Sequence, residues 1–213
     1  MGNIDRLLRR INPYCHAYEN MLEKEKKVIS IDLGIRTFAT GVSENTGIEI
    51  GTNCQEKIRN ILKRKDKILN NENIPIKIKK KNEKMLNKKV NNLTNELHWK
   101  TINYLTKTFE TVIVGDINVK SIVRKNGNLS KMNKRIALEL RFYTFKERLK
   151  YKCNISNTRL GCINEYMTSK MCSMCGNIKE YLGDSKMYKC EKCKMKADRD
   201  MNSARNILIR AIK

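Results

Sequence analysis

Val28-Ile-Ser-Ile-Asp-Leu33 (VISIDL) is an apolar run with one acid, Asp32, next to its end. Short apolar runs closed by turn residues read as buried strands, and Gly34 and Ile35 turn the chain here. Arg36–Val42 (RTFATGV) and Gly47–Gly51 (GIEIG) read as second and third strands joined by the turn Glu44-Asn45-Thr46-Gly47. Connections this tight predict an antiparallel meander. Thr111–Asp116 (TVIVGD) is another buried strand ending in an acid, and Arg159–Glu165 (RLGCINE) a short one that does the same.

Between the third and fourth strands the period changes. Ile58, Ile61, Leu62, Ile68 and Leu69, then Leu86, Val90, Leu93 and Leu97, recur at helical spacing on either side of a break at Asn70–Pro75. They predict two long amphipathic helices in an antiparallel hairpin. Residues 54–110 carry 15 Lys/Arg against 6 Asp/Glu. The plain reading is two solvated faces; the sharper one is a basic arm lying along nucleic acid. Lys63, Arg64, Lys79, Lys80 and Lys81, with Lys131, Lys134 and Arg135 further on, are the candidate contacts. Residues 117–130 read as a loop. Lys131–Tyr151 reads as one helix with Met132, Ile136, Leu140 and Tyr143 on one face, and Asp198–Lys213 as a closing helix.

The length, 213 residues, suits one domain or one plus a small satellite. A net charge of +23 exceeds any need of an enzyme acting on neutral metabolites and points to a polyanion, nucleic acid above all. Part of the excess follows codon bias, since 31 Lys, 25 Asn and 24 Ile are what A/T-rich codons supply. No stretch approaches 18 apolar residues, so no membrane helix is expected, and Met1–Arg10 lacks the apolar core of a signal peptide. The eight Cys are therefore expected in an intracellular protein, where metal binding outranks disulfides.

Cys172-Ser-Met-Cys175 and Cys190-Glu-Lys-Cys193 are two CxxC pairs 14 residues apart. Each pair makes a two-thiolate knuckle, and two knuckles complete a zinc tetrahedron. Gly176 stands where the first knuckle needs positive φ, and Met187-Tyr188-Lys189 reads as the short strand of a zinc ribbon. With four Cys ligands the one zinc is closed and structural. A redox pair is the competing reading. Cys15, Cys54, Cys153 and Cys162 lack ligand spacing and are expected to be ordinary small buried residues, with free thiols possible at Cys15 and Cys54; His16, His98 and Trp99 are read as structural.

Four acids sit at element ends: Asp32, Asp116, Glu165 and Asp200. A lone acid there is usually a cap. Several converging on one sheet edge repel unless cations bridge them, and two Mg²⁺ ions about 3.5–4 Å apart would do so in phosphodiester cleavage. Asp198 is the expected helix N-cap. Asp200 is in register with Ala204, Ile207, Leu208 and Ala211 and so is expected to face the sheet.

VISIDLGIRTFAT around Asp32, TVIVGDINVKSI around Asp116, EYMTSKMCSMCGN into the first knuckle and ADRDMNSARNIL at the end resemble, in order and form, the RuvC nuclease half of TnpB-type transposon proteins. Leu129–Lys152 looks more like their Fanzor relatives. The resemblance implies an RNase H-like α/β fold, a mixed sheet with a helical insertion at 54–109 and an inserted four-cysteine zinc ribbon at 168–197. The nuclease domain would comprise residues 27–167 and 198–213. It implies a Mg²⁺-dependent, RNA-guided DNA endonuclease with DNA and guide RNA as partners, in the nucleus or at a viral or cytoplasmic replication site. Most TnpB proteins have Glu where Gly115 stands. Fanzor-like proteins often move it to the strand before the ribbon, which Glu165 matches, so the implied metal ligands are Asp32, Glu165 and Asp200, with Asp116 as the alternative. Residues 1–26 are expected to be a remnant, the family's RNA-gripping N-terminal half being missing, truncated or encoded separately. An inactive nucleic-acid-binding remnant and a guide-free structure-selective nuclease are the alternatives.

Overall fold

Val28–Leu33 is β1, the central strand of a five-stranded sheet in a computed structural model. The structure describes residues 27–44, 46–117, 119, 123–124, 129–183 and 185–212. The expectations for residues 1–26, with Cys15 and His16, for Asn45 of the turn, and for much of loop 117–130 lie outside the described residues. β2 (Ala39–Val42) and β3 (Gly47–Ile50) pair antiparallel and complete the meander. β4 (Thr111–Gly115) lies parallel to β1 on its other side, and β5 (Arg159–Ile163) parallel to β4, giving the order β3-β2-β1-β4-β5. β2 begins three residues later than expected. The Gly34 amide donates to Phe38 O at 3.2 Å, so the turn itself consumes residues 34–38 and brings Thr37 and Phe38 into the core.

Side chains alternate across a strand, and here the alternation sorts two layers. Ile29, Ile31 and Leu33 of β1 and Val112 and Val114 of β4 face the larger core. That core is covered by α1 (Cys54–Leu69), α2 (Ile76–Thr108), α3 (Lys131–Glu139) and α4 (Phe142–Ile155). Val28 and Ile113 face the other way, onto Ile207 of α5 (Arg199–Ile212). A separate two-stranded sheet, β6 (Met187–Lys189) with β7 (Lys196–Asp198), leads directly into α5. α2 has 33 residues, about 50 Å. None of residues 76–85 is buried, so the hairpin tip stands clear of the core. No helix among the described residues is long and apolar enough to cross a membrane.

The single helix expected over Lys131–Tyr151 is two. Ser130 caps the first, accepting from the Asn133 amide at 3.2 Å, and the chain breaks at Arg141, which takes φ 48°. The break resets the helical phase. Phe142, Phe145, Leu149 and Cys153 become the buried face, and Tyr143, expected inside, is 71% exposed. His98 of α2 packs into the joint and satisfies a carbonyl there. Its ring is stacked on Phe38 and set edge-on to Phe145, and its Nε2 donates to Leu140 O at 2.9 Å. Nδ1 faces Arg148 Nη1 at 3.2 Å. A carbonyl only accepts and a guanidinium only donates, so both contacts require the neutral ring.

Burial, with the Arg148 and Arg141 charges, pushes His98 down to about 4, against the Leu140 bond. The folded value lies below the unfolded one of about 6.5. The neutral ring therefore stabilises the fold fully above pH ~6.5, and the contribution is lost as pH falls toward 4. His98→Gln is expected to cost about 1–3 kcal/mol at pH 7.5. In denaturant titrations at pH 7.5, 6 and 5 the gap between wild type and variant should shrink; a gap independent of pH contradicts the assignment.

Candidate functional site

The pleat places the acids. On β1, Val28 packs toward α5 and Ser30 donates to Ala204 O of α5 at 2.7 Å, so Asp32, in the same phase, faces that helix. On β4 the phase runs Thr111, Ile113, Gly115; on β5 it reaches Ile163. Ile31 pairs with Val114, and Val114 with Cys162, so the C-terminal ends of three parallel strands are level.

Glu165 continues the Ile163 phase past the end of β5. A Cβ added to Gly115 would lie 2.0 Å from Glu165 Oε1 and 2.6 Å from its Cδ and Cγ. The Glu165 side chain thus fills the volume that a side chain at 115 would take. Its Oε1 is buried with no hydrogen-bond partner among the described residues. Asp116, one residue on, points to the opposite layer, is 64% exposed and forms an ion pair with Lys146 of α4. Gly115 and Asp116 thus face apart, as neighbouring positions on a strand do.

Asp200 opens α5. Asp198 Oδ1 accepts from the amides of Asp200 (2.8 Å) and Met201 (3.1 Å), the cap expected of it. Ala204 and Ile207, on the face Asp200 shares, are buried. Burial raises the Asp32 carboxyl well above its usual range, Glu165 and Asp200 raise it further, and the Ser203 hydroxyl opposes them. Burial lifts Glu165 to about 7, with Asp116 adding and Lys146 opposing. Asp200 is raised too, by burial and by Asp198. Carboxylates with folded values above the unfolded ones lend stability below the unfolded value and lose it as pH rises through the folded one. Holding these three carboxyls ionised at neutral pH therefore costs folding stability. An orphaned buried oxygen beside two further acids, all hard oxygen donors, suits a divalent cation such as Mg²⁺.

Polar residues of α5 that the apolar periodicity left out build the surroundings. Asn202 accepts from the Ser173 amide at 3.0 Å and donates to Met171 O at 2.8 Å. Asn206 donates to Thr168 O and Met171 O, both at 2.7 Å, and the Ser203 hydroxyl reaches Thr168 Oγ1 at 3.2 Å. Three polar residues on the inward side of an amphipathic helix were the available signal. They tie the segment after β5 to the helix that carries Asp200.

The four ribbon cysteines converge. Cys172 and Cys193 Sγ are 3.6 Å apart, as are Cys175 and Cys190 Sγ. Sulfurs about 2.3 Å from a central zinc would stand about 3.8 Å apart, whereas a disulfide needs about 2.05 Å. All four lie within 4.8 Å of one another. The knuckles match: Gly176 takes φ 73° and Lys194 takes φ 61° after their second cysteines. The cluster could hold a metal such as zinc. Of the other cysteines, Cys153 is buried and Cys54 half-buried, but Cys162, expected inside, is exposed, because β5 is an edge strand.

Lys63, Arg64, Lys80, Lys81 and Lys131 are exposed, and Lys79 is half-buried. Two candidates are engaged internally: Arg135 forms a two-pronged bond to Asp66 at 2.6 and 2.9 Å, joining α3 to α1, and Lys134 Nζ donates to Arg124 O at 2.5 Å.

Elemental analysis of purified chain is expected to give about one zinc, and Cys190→Ser well under half of that with a lower melting temperature. A fully folded, metal-free wild type would contradict the closed four-sulfur site.

A probable transposase family (OrfB_IS605) matches residues 13–126, and the Cas12f1-like TNB domain family matches residues 142–207. TnpB-like protein L79 of Acanthamoeba polyphaga mimivirus is 40% identical over 203 residues, 88% of this chain and 38% of its own length. Putative transposase R186 of the same virus is 31% identical over 224 residues, 98% of this chain and 45% of its own. The chain thus spans less than half the length of these relatives. Among solved structures, Cas12f1 in its complex with sgRNA and target DNA overlays with a TM-score of 0.58 at 22% identity, over 88% of this chain and 51% of that one, a likeness of fold. The chain belongs to the TnpB-like probable transposase family.

Proposed function

We propose that these residues are the nuclease part of an RNA-guided DNA endonuclease of the TnpB type, with an RNase H-like (RuvC) sheet and Mg²⁺-dependent phosphodiester hydrolysis. The observation that carries the reading is Glu165 lying in the space over Gly115, on the face and at the strand ends that present Asp32. Asp32, Glu165 and Asp200 would hold two Mg²⁺ ions. Bound there, the ions supply charge neutralisation and an acidified water at the scissile phosphate. The chain's own part is to hold three carboxylates at fixed strand and helix ends, ionised in the loaded state, with the Ser203 hydroxyl beside Asp32. The four cysteines hold one structural zinc. The Lys63, Arg64 and Lys79–Lys81 arm, with Lys131, tracks the backbone of a guide–target duplex without reading bases.

The test is a substitution series in the chain combined with a family N-terminal half and guide RNA, with cleavage and DNA binding measured separately in Mg²⁺. Asp32→Asn, Glu165→Gln and Asp200→Asn should each lower cleavage by at least ~10²-fold and keep binding. Asp116→Asn should keep most activity. Gly115→Ala should fold, because a flexible Glu165 side chain can swing aside, yet lose cleavage, because that swing removes the ligand. An inactive Asp116→Asn beside an active Glu165→Gln would overturn the ligand set. Binding without cleavage in the wild-type complex would favour the binding-only reading, and equal cleavage without guide RNA a guide-free nuclease.

A further inference from the structure

Glu165 sits two residues beyond β5, where the ladder no longer fixes the backbone. Something else must hold its Cα if the side chain is to stay over Gly115. Arg210, in the last turn of α5, does so. Its Nη1 donates to Asn164 O at 2.6 Å and its Nη2 to Tyr166 O at 2.8 Å. The two carbonyls flank Glu165, and one planar guanidinium spans both, as a lysine ammonium cannot. The carbonyl between them is also taken, since the Thr168 amide and hydroxyl donate to Glu165 O at 3.1 and 2.9 Å. Among the described residues the Arg210 guanidinium makes no ion pair. Hydrogen bonds with a charged donor are the stronger kind.

We propose that Arg210 is a positioning residue for Glu165. Arg210 and Asp200 stand ten residues apart on one helix. α5 therefore carries one carboxylate directly and grips the backbone of a second, and its rigidity sets the gap between them. The assignment rests on the reading that Asp32, Glu165 and Asp200 hold divalent cations. It differs from a packing role in what it controls: cation affinity, beyond any effect on melting temperature.

The experiment titrates Mn²⁺ into the 213-residue chain with its ribbon loaded with zinc, reading free Mn²⁺ by electron paramagnetic resonance and melting in parallel. Wild type should bind Mn²⁺, and Asp32→Asn should abolish that binding. Arg210→Met should weaken it about tenfold at a temperature where the variant is fully folded. Arg210→Lys, which keeps the charge and one bond, should fall between. Leu208→Ala, which thins the packing of α5 against Val28, Ile113 and Ile207 and removes neither Arg210 bond, should lower melting and leave Mn²⁺ affinity unchanged. If Arg210→Met does not fold, Arg210→Lys against Leu208→Ala carries the comparison. Wild-type affinity in Arg210→Met, or equal losses in Leu208→Ala, overturns the positioning role while the cation site stands. Mn²⁺ binding that survives Asp32→Asn unchanged overturns the underlying reading instead.

Discussion

Like charge gathers at one end of the sheet, and much of the structure is arranged around holding it there. Asp32 and Glu165 are drawn to one face by strand phase, and Asp200 arrives from the helix laid across that face. Burial raises all three, and mutual repulsion adds to the cost at Asp32, so the bare cluster works against folding at neutral pH. The fold tolerates it because apolar layers lie on both sides of the sheet. Ile29, Ile31, Val112 and Val114 are sealed under the helices, and Val28 and Ile113 under α5. A charge cluster kept at such cost is a common mark of a functional site.

α5 joins the parts. Its apolar stripe covers the sheet, its first turn supplies Asp200, and its asparagines bind the segment that runs from Glu165 into the first cysteine knuckle. Through the Ser173–Asn202 contact and the direct passage from β7, both halves of the ribbon are fastened to the same helix. The four-cysteine module and the carboxylate cluster thus share one support. That offers a physical reason for a ribbon to be inserted between the last strand and the last helix.

The strands and the ribbon were legible because their signals are local. VISIDL and TVIVGD can bury both faces only inside a sheet, CxxC spacing states its own geometry, and the Asp198–Asp200 pair separates by helical phase alone. The break at Arg141 was not legible. Leu140 and Tyr143 keep a perfect helical interval, and the Leu140 carbonyl left at the break is met by His98, over 40 residues away. Cys162 misled because exposure on an edge strand depends on which neighbour is absent, which composition does not encode. Gly115 announced an empty position, and the family resemblance pointed to Glu165, but the fit of one into the other is a matter of tertiary packing. Arg210 acts on backbone carbonyls, which have no sequence signature, so by sequence it cannot be told from any basic residue matched to the helix dipole in a last turn.

Asp32, Glu165 and Asp200 are proposed to form one cation site that excludes Asp116. A crystal structure of the chain grown with Mn²⁺, with anomalous scattering recorded at the manganese edge, tests it most directly. Anomalous peaks are expected within about 2.0–2.3 Å of carboxylate oxygens of all three acids, with Asp116 still paired to Lys146. A peak held by Asp116, with Glu165 turned away from Gly115, would contradict it.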